Sequence, residues 1–235
     1  MGIYSGYYIL SMIVGYLIGG WLVEAFGWRM TFVMMGVPGV LVAIMAKLTL
    51  REPRLTQQPT VVAEQPLLAE VLHVLWRQRT FRHIFISFCV AYFFIVGTSQ
   101  WLAAFFMRSY GMESSELGAW LALCWGVSGL LGNFLGGYWA TRYAANREKL
   151  QMRALAFIMI FYGLVSVMIY LSSNKYISLT FVAVHALVGS FTNGPILAAI
   201  QSLVNERMRS VTIALILLFA NLIGFGLGPL AIGVV

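Results

Sequence analysis

The sequence predicts an all-α fold, a polytopic transmembrane helical bundle of seven spans, and three observations predict it. Seven runs of roughly 20 apolar residues are each long enough to cross the hydrocarbon core of a bilayer. Positive charge falls mainly in alternate connections between these runs. Hydrophobic residues make up 60% of the 235 residues, charged residues only 10%, and aspartate is absent. This composition excludes an ordinary soluble domain, and the continuous runs exclude a barrel, whose strands alternate over about ten residues.

The spans can be placed in order along the chain. They are residues 2–25, 30–50, 84–107, 117–140, 154–171, 176–204 and 211–235. A turn at Gly27-Trp28-Arg29 separates the first two.

The distribution of Lys and Arg predicts the orientation, because cytoplasmic loops retain positive charge. Twelve of these residues fall in the second, fourth and sixth connections: Lys47, Arg51, Arg54, Arg77, Arg79, Arg82, Arg142, Arg147, Lys149, Arg153, Arg207 and Arg209. The other connections hold only three, Arg29, Arg108 and Lys175. We therefore expect Met1 in the cytoplasm and Val235 outside. The same loop placement explains the net charge of +7 without nucleic-acid binding.

The longest connection, residues 51–81, has two parts. Three prolines predict an irregular segment over residues 52–66. Residues 67–79 carry apolar side chains at helical spacing and end in basic residues, which predicts an amphipathic helix. Two placements remain open: the helix lies at the cytoplasmic interface with Trp76 at headgroup depth, or it packs on the cytoplasmic ends of the spans.

Glycines recur four residues apart in three spans, which puts small residues on one helix face and lets backbones approach closely. The pairs are Gly15 and Gly19, Gly132 and Gly136, and Gly224 and Gly228. Residues 15–20 of the first span can also be laid over residues 228–233 of the last. Paired halves of this kind are typical of secondary transporters, which alternate access by rocking one half against the other. With that repeat, the chain looks cut at both ends.

Two motifs carry a family resemblance. Gly136-Gly137-Tyr138-Trp139-Ala140-Thr141-Arg142, followed by Asn146-Arg147-Glu148-Lys149, resembles the loop motif of the major facilitator superfamily. Gly15-Tyr16-Leu17-Ile18-Gly19-Gly20 resembles its glycine-proline helix motif. Thr141 stands where the loop motif has Asp, and Tyr16 where the helix motif has Pro. The stretches 100–112 and 194–229 are similar to spinster-like members.

The resemblance implies that the seven spans are the fifth to eleventh helices of a twelve-helix transporter. Residues 1–50 would end the amino-terminal bundle, 51–82 would be the cytoplasmic linker, and 83–235 would belong to the carboxy-terminal bundle. The implied function is secondary active transport of a small organic or lipid-like solute by alternating access, in a bacterial inner (plasma) membrane. The implied partners are membrane lipids and the missing helices of the full-length protein, with no cofactor or metal.

Polar side chains inside spans are costly, so they are the default candidates for function. On the resemblance, four spans line the central cavity and their amide and aromatic groups would hold the substrate. The substrate-binding candidates are Tyr92, Gln100, Trp101, Asn133, Thr192, Asn193, Gln201 and Asn221. The alternative is ordinary hydrogen bonding between helices, worth about 0.6 kcal/mol per contact.

A second group of residues is predicted to act in gating. It comprises Gly15, Gly19, Gly136, Gly137, Thr141, Arg142, Arg147, Gly228 and Pro229. Asn193-Gly194-Pro195 permits a kink, since proline removes a helical hydrogen bond. His185, the histidine inside a span, is the candidate for carrying a coupling proton; the alternative is a hydrogen-bonded structural residue.

Two other classes of membrane protein fit parts of the sequence, a protease and a receptor. Gly126-Val127-Ser128-Gly129 fits the pattern of intramembrane serine proteases, with His185 as the base. A seven-span receptor is also possible, but retinal attachment would need a lysine in the last span, which has none. Cys89 and Cys124 lie inside spans, where small apolar core residues are expected rather than a disulfide or metal pair.

Overall fold

A computed structural model describes residues 2–50, 68–143 and 148–234, and all the regular structure in these ranges is helical. The seven α-helices are α1 (Gly2–Thr49), α2 (Leu68–Arg77), α3 (Arg79–Tyr110), α4 (Ser114–Arg142), α5 (Glu148–Leu171), α6 (Lys175–Ser202) and α7 (Arg209–Gly233). A short 3-10 helix, Glu206–Met208, precedes α7. Of the seven α-helices in the described ranges, all except α2 are long and apolar enough to cross a membrane.

α1 consists of two arms, residues 2–26 and 28–49. Gly27 has φ 75° and ψ 163°, a conformation that only glycine adopts without strain. A Cβ built on Gly19 would lie 3.9 Å from the sulfur of Met35. Sixteen residues of straight helix would hold these positions about 24 Å apart, so the arms fold back on each other. The prediction of seven spans is therefore confirmed, with the reversal at the predicted turn.

Polar and glycine residues fix other helix ends. Gly111 ends α3 in the left-handed conformation, with φ 64°. The side chain of Asn174 begins α6 by accepting a hydrogen bond from the Tyr176 amide at 2.9 Å. Both turns lie at the same end of the bundle, where α3 leads to α4 and α5 leads to α6.

The spanning helices pack in pairs: α3 with α7, and α4 with α6, with α5 against α6. Gly132 and Gly136 lie against the backbone carbonyls of Leu187 and Phe191, with no room for a Cβ. Pro195 has no amide, so the Phe191 carbonyl has no helical donor. A glycine opposite this carbonyl leaves room for it, and α6 runs through Pro195 as one helix.

The α3–α7 pair is equally close. A Cβ built on Gly228 would lie 2.8 Å from the carbonyl oxygen of Phe93, and one on Gly224 would lie 2.7 Å from the Tyr92 ring. Close approach at two of the three predicted glycine pairs is therefore confirmed.

A close helix contact at Gly15 and Gly19 stays a prediction. Among the described residues, a Cβ at Gly15 would have no atom within 4 Å, and one at Gly19 would meet only Met35. The close contact lies at Gly20, where a Cβ would be 2.6 Å from the Ser114 carbonyl oxygen and 3.2 Å from the Gly118 Cα. Because each residue turns a helix by about 100°, Gly15 and Gly19 lie on a different face from the one that packs on α4.

α2 packs on the ends of the spanning helices. Val71 and Leu75, one helical turn apart, are fully buried. They belong to a cluster with Phe81 of α3, Ile200 of α6 and Ile216 of α7. Of the two placements left open by the sequence, packing on the bundle is observed for the face formed by Val71 and Leu75.

We predict that Gly136→Ala destabilises the bundle and that Gly137→Ala does not. A Cβ at Gly136 would overlap the Phe191 backbone, and overpacking costs about 1–3 kcal/mol. A Cβ at Gly137 would meet no described atom within 4 Å, so alanine should gain helix propensity there. Thermal unfolding of both variants in detergent micelles measures the difference. Equal midpoints would contradict the close packing of α4 on α6.

We also predict that Leu75→Ala lowers stability by about 2–5 kcal/mol, because it leaves a cavity in a fully buried site. Leu72→Ala is the matched control, since Leu72 on the same helix is 41% exposed and should cost much less. The same micelle assay measures both variants. A similar loss in the two would mean that α2 is not anchored through Leu75.

Candidate substrate site and gates

The α3–α7 interface carries two polar contacts at different levels. The Tyr92 hydroxyl donates to Asn221 Oδ1 at 3.5 Å, and the Phe225 ring meets the edge of Tyr92. Nine residues further along α3, Trp101 Nε1 donates to the Pro229 carbonyl at 3.0 Å. The structure thus pairs four predicted residues at two separate levels: Tyr92 with Asn221, both substrate-binding candidates, and the candidate Trp101 with the gating candidate Pro229. Their polar and aromatic groups can orient an amphipathic ligand.

The other candidates are not joined to this group by a described hydrogen bond. Asn133 donates to the Gly129 carbonyl at 3.2 Å, and buried Thr192 donates to the Gly189 carbonyl at 2.8 Å, both within their own helices. Gln100 and Asn193 are exposed. The side chain of Gln201 lies outside the described residues. Exposed amides are therefore available at two of these positions, whereas Asn133 and Thr192 bond to their own backbone.

His185 is buried between aromatic rings of neighbouring helices. Its imidazole stacks on Tyr162 of α5 at 3.9 Å between ring centroids, and it meets Trp125 of α4 edge-on at 6.2 Å. It lines a groove of about 700 Å³ between α3 and α5 with Thr98 and Tyr170. This groove contains none of the predicted substrate-binding residues, so a coupling role for His185 stays a prediction.

The groove between α3 and α5 was not predicted from the sequence. It continues into an apolar groove of about 330 Å³ through three shared residues, Ser87, Ala91 and Met159. A signal for it existed on α3, where Ser87, Ala91 and Thr98 recur on one helix face. Small side chains on one face leave space beside a neighbouring helix.

The first arm of α1 meets α4 at the Ser114 end. Besides the contact of Gly20 with Gly118, Glu24 Oε2 accepts a hydrogen bond from the Ser115 amide at 3.1 Å. A carboxylate there also interacts favourably with the positive end of the α4 dipole. No pattern in the sequence predicts this partner, because Glu24 and Ser115 are 91 residues apart.

An ion pair lies at the same end of α4. Glu116 accepts from Lys175 Nζ at 2.8 Å, which joins α4 to the first residue of α6. Two carboxylates near the start of α4 thus make different connections: Glu24 links α1 to α4, and Glu116 links α4 to α6.

The predicted loop latch lies at the opposite end of α4. Thr141, which stands at the acidic position of the motif, donates within its own helix to the carbonyls of Gly137 and Tyr138. Arg142 is exposed, and Arg147 lies outside the described residues. Gly136 packs on α6, whereas a Cβ at Gly137 would meet no atom of the described residues within 4 Å.

The proposed protease pair does not share a cavity. Ser128 lines a groove of about 390 Å³ between α4 and α6, with Cys124 and Thr180. His185 lines the groove beside α3 and α5. A serine nucleophile needs its base within hydrogen-bond reach, and this arrangement gives no support to one.

The fold and its polar contacts define the class of an integral membrane protein made of closely packed spanning helices. The family model described as Major Facilitator Superfamily matches residues 1–229, and the chain belongs to this family. The resemblance stated from the two motifs is thus confirmed.

Two characterised relatives are transport proteins. The chain is 28% identical over 218 residues to an MFS-type efflux pump of Mycolicibacterium smegmatis, covering 92% of the chain and 49% of the pump. It is 23% identical over 149 residues to the cis,cis-muconate transport protein of Acinetobacter baylyi, covering 60% of the chain and 36% of that protein. The chain therefore spans half or less of each relative.

Two solved structures share the fold. Both are of a bacterial homolog to the human lysosomal transporter Spinster. The inward-facing, occupied conformation has a TM-score of 0.71 at 22% identity, covering 97% of this chain and 52% of that one. The inward-facing, unoccupied conformation has a TM-score of 0.67 at 23% identity, covering 97% and 48%.

Proposed function

We propose that this chain forms the middle of a secondary transporter that moves a small organic or lipid-like solute by alternating access. The observation that carries the proposal is the way α1 meets the bundle. Within the described residues its extensive contact is with α4, along a seam that runs from Ile13 opposite Gly126 to Glu24 at Ser115. Alternating access by two rocking halves requires an interface at which a helix of one half contacts a helix of the other, and the α1–α4 seam would be such an interface.

The proposed division follows from this contact. α1 belongs to the amino-terminal bundle, α2 to the linker and α3–α7 to the carboxy-terminal bundle. With Met1 in the cytoplasm and Val235 outside, the Glu24 end of the seam faces out. The bacterial relatives support a place for the chain in the inner membrane of a bacterium. The two solved relatives, both inward-facing, support a conformation in which the halves meet at the outer end.

Gating in this proposal depends on two kinds of contact. Gly20 and Gly118 let the α1 and α4 backbones meet, and the hydrogen bond from the Ser115 amide to Glu24 holds their outer ends together. Separating the halves breaks this bond without breaking the Glu116–Lys175 pair, which lies inside the carboxy-terminal bundle. At the inner side, Arg142 and the loop that follows it remain the proposed latch.

The proposed substrate contacts are the exposed amides of Gln100 and Asn193 and the Tyr92–Asn221 pair. The ring of Trp101 would pack against an apolar part of the substrate. Amides neither require nor repel charge, and aromatic faces accept apolar groups. This chemistry suits an amphipathic organic solute. The names of the relatives, an efflux pump and a muconate transporter, support an organic solute without choosing one.

We predict that Glu24→Ala opens the outer end of the seam. The test uses a cysteine in place of Tyr16, which packs beside Gly118, with Cys89 and Cys124 replaced by serine. Its labelling by a membrane-impermeant maleimide is measured from the outer side. Loss of an exposed, charged hydrogen bond of about 1 kcal/mol should speed labelling by about fivefold.

Glu116→Ala is the matched control for this experiment. It removes a carboxylate at the same end of α4, but one that pairs with Lys175 within the bundle. Labelling should then stay at the rate of the parent. Equal effects of the two variants, or none from Glu24→Ala, would mean that Glu24 does not hold two moving units together.

We predict that Gln100→Ala and Asn221→Ala each weaken transport in the full-length protein. Loss of one hydrogen bond to substrate costs about 1 kcal/mol, which raises KM by about fivefold. Ethidium efflux and cis,cis-muconate uptake by expressing cells are the two assays. Ser128→Ala is the control, since Ser128 lines a different groove. If the parent transports one of these probes and both amide variants transport it with the same KM, then Gln100 and Asn221 do not bind the substrate.

A further inference from the structure

α2 presents two apolar faces, and the bundle covers only one of them. Val71 and Leu75 are buried against α3, α6 and α7. Leu72 and Trp76, each one residue further along, are 41% and 58% exposed. The Trp76 ring touches Phe85 edge-on at 6.4 Å, so it is held beside α3 with its outer part uncovered. An exposed Trp and Leu pair on an amphipathic helix is typical of contact with a membrane surface.

Positive charge surrounds this outer face. Arg77 ends α2, Arg79 begins α3, and both are exposed; His73 is exposed one turn earlier on α2. Arg82 follows on α3 and is half-buried. The carboxylate of α2 is Glu70, which lies in its first turn, away from the basic end.

The neighbouring connection between α6 and α7 adds to this charge. Its carboxylate, Glu206, pairs with Arg209 at 3.5 Å, and Arg207 is exposed. Among the described residues, the surface around the basic end of α2 therefore carries an excess of positive charge.

The position of this surface along the membrane normal follows from α3. α2 passes into α3 through the single residue Gln78, and the apolar run of α3 begins at Ile84. Arg79 thus precedes the hydrocarbon-spanning run by about 8 Å of helix. That distance puts Arg79 at the level of lipid headgroups. Arg77 and Trp76 precede it in the chain, and the contact of the Trp76 ring with Phe85 of α3 holds them close to the same level, where aromatic residues are enriched.

We propose that the outer face of α2, formed by Leu72, His73, Trp76, Arg77 and Arg79, is a binding surface for anionic phospholipid. The phosphodiester of the headgroup contacts the two arginines, and the acyl chain begins against Leu72 and Trp76. Juxtamembrane basic residues attract anionic lipid at about 1 kcal/mol each. The proposal does not depend on transport. The bound lipid would contact the outer face of α2, while the inner face of α2 packs on the ends of α6 and α7.

The first test measures lipid retained by the purified chain in non-ionic detergent. Native mass spectrometry compares phosphatidylglycerol with phosphatidylcholine of the same acyl chains. The wild-type chain should retain more phosphatidylglycerol. Arg77→Gln with Arg79→Gln should weaken that binding by about thirtyfold, the effect of two residues at about 1 kcal/mol each. Where the double variant fails to fold by circular dichroism, Arg79→Gln alone should weaken it by about fivefold.

Arg29→Gln with Arg108→Gln is the matched control. It removes the same charge from two exposed arginines, which lie in the connections predicted on the opposite side of the membrane. Phosphatidylglycerol binding should stay near the wild-type value. An equal loss in both double variants would overturn the proposal in favour of a general charge effect. Displacement of the lipid by added inorganic phosphate would overturn it in favour of a free-anion site.

The second test locates the bound lipid. Trp76 fluorescence is taken as the difference between the wild-type chain and Trp76→Phe. Phosphatidylglycerol brominated on its acyl chains should quench this difference more strongly than brominated phosphatidylcholine. Equal quenching by the two lipids would overturn the proposal, because the surface would then not select for the anionic headgroup.

Discussion

The rest of the structure depends on close backbone approach between helices at glycine. In an apolar solvent, burying apolar side chains between helices gains little, so packing contacts have to hold the bundle. α4 makes such contacts on two faces. Its second half meets α6 at Gly132 and Gly136, where carbonyls of α6 occupy the space of a side chain. Its first half meets α1 at Gly118.

The α4–α6 and α1–α4 seams differ in the contacts that stabilise them besides glycine packing. The α4–α6 seam runs through the core of the bundle and is supported by buried residues of both helices, such as Leu121 and Val182. The α1–α4 seam ends in an exposed hydrogen bond to Glu24. In the proposed transporter this difference separates a permanent contact from one that opens. At Gly20 and Gly118 the second seam is held by backbone contact rather than by interlocking side chains, so in the proposed transporter its outer part can separate and re-form.

The sequence predicted the fold well and the partners of individual residues poorly. Hydropathy alone identified seven spans, because a span needs only length and composition. The spacing of Gly132 and Gly136 identified a real contact, yet the same spacing at Gly15 and Gly19 identified no close helix contact among the described residues, since spacing defines a face without saying which helix covers it. The site was predicted in part: Tyr92 with Asn221 and Trp101 with Pro229 do meet. The bond from Ser115 to Glu24 could not be predicted, because it joins an exposed carboxylate to a backbone amide far away in the chain.

Polar residues inside the spans divide by where their hydrogen bonds go. The hydroxyls of Thr98 and Thr212 return to their own helices, as do the side chains of Asn133 and Thr192. These bonds remove the cost of burying a polar group, so the residues need no function to be tolerated. Tyr92 and Trp101 bond between helices and stay partly exposed. Gln100 and Asn193 expose amides on apolar helices. Stability does not require an exposed amide in a span, and these two amides are therefore the ones that the proposed substrate would contact.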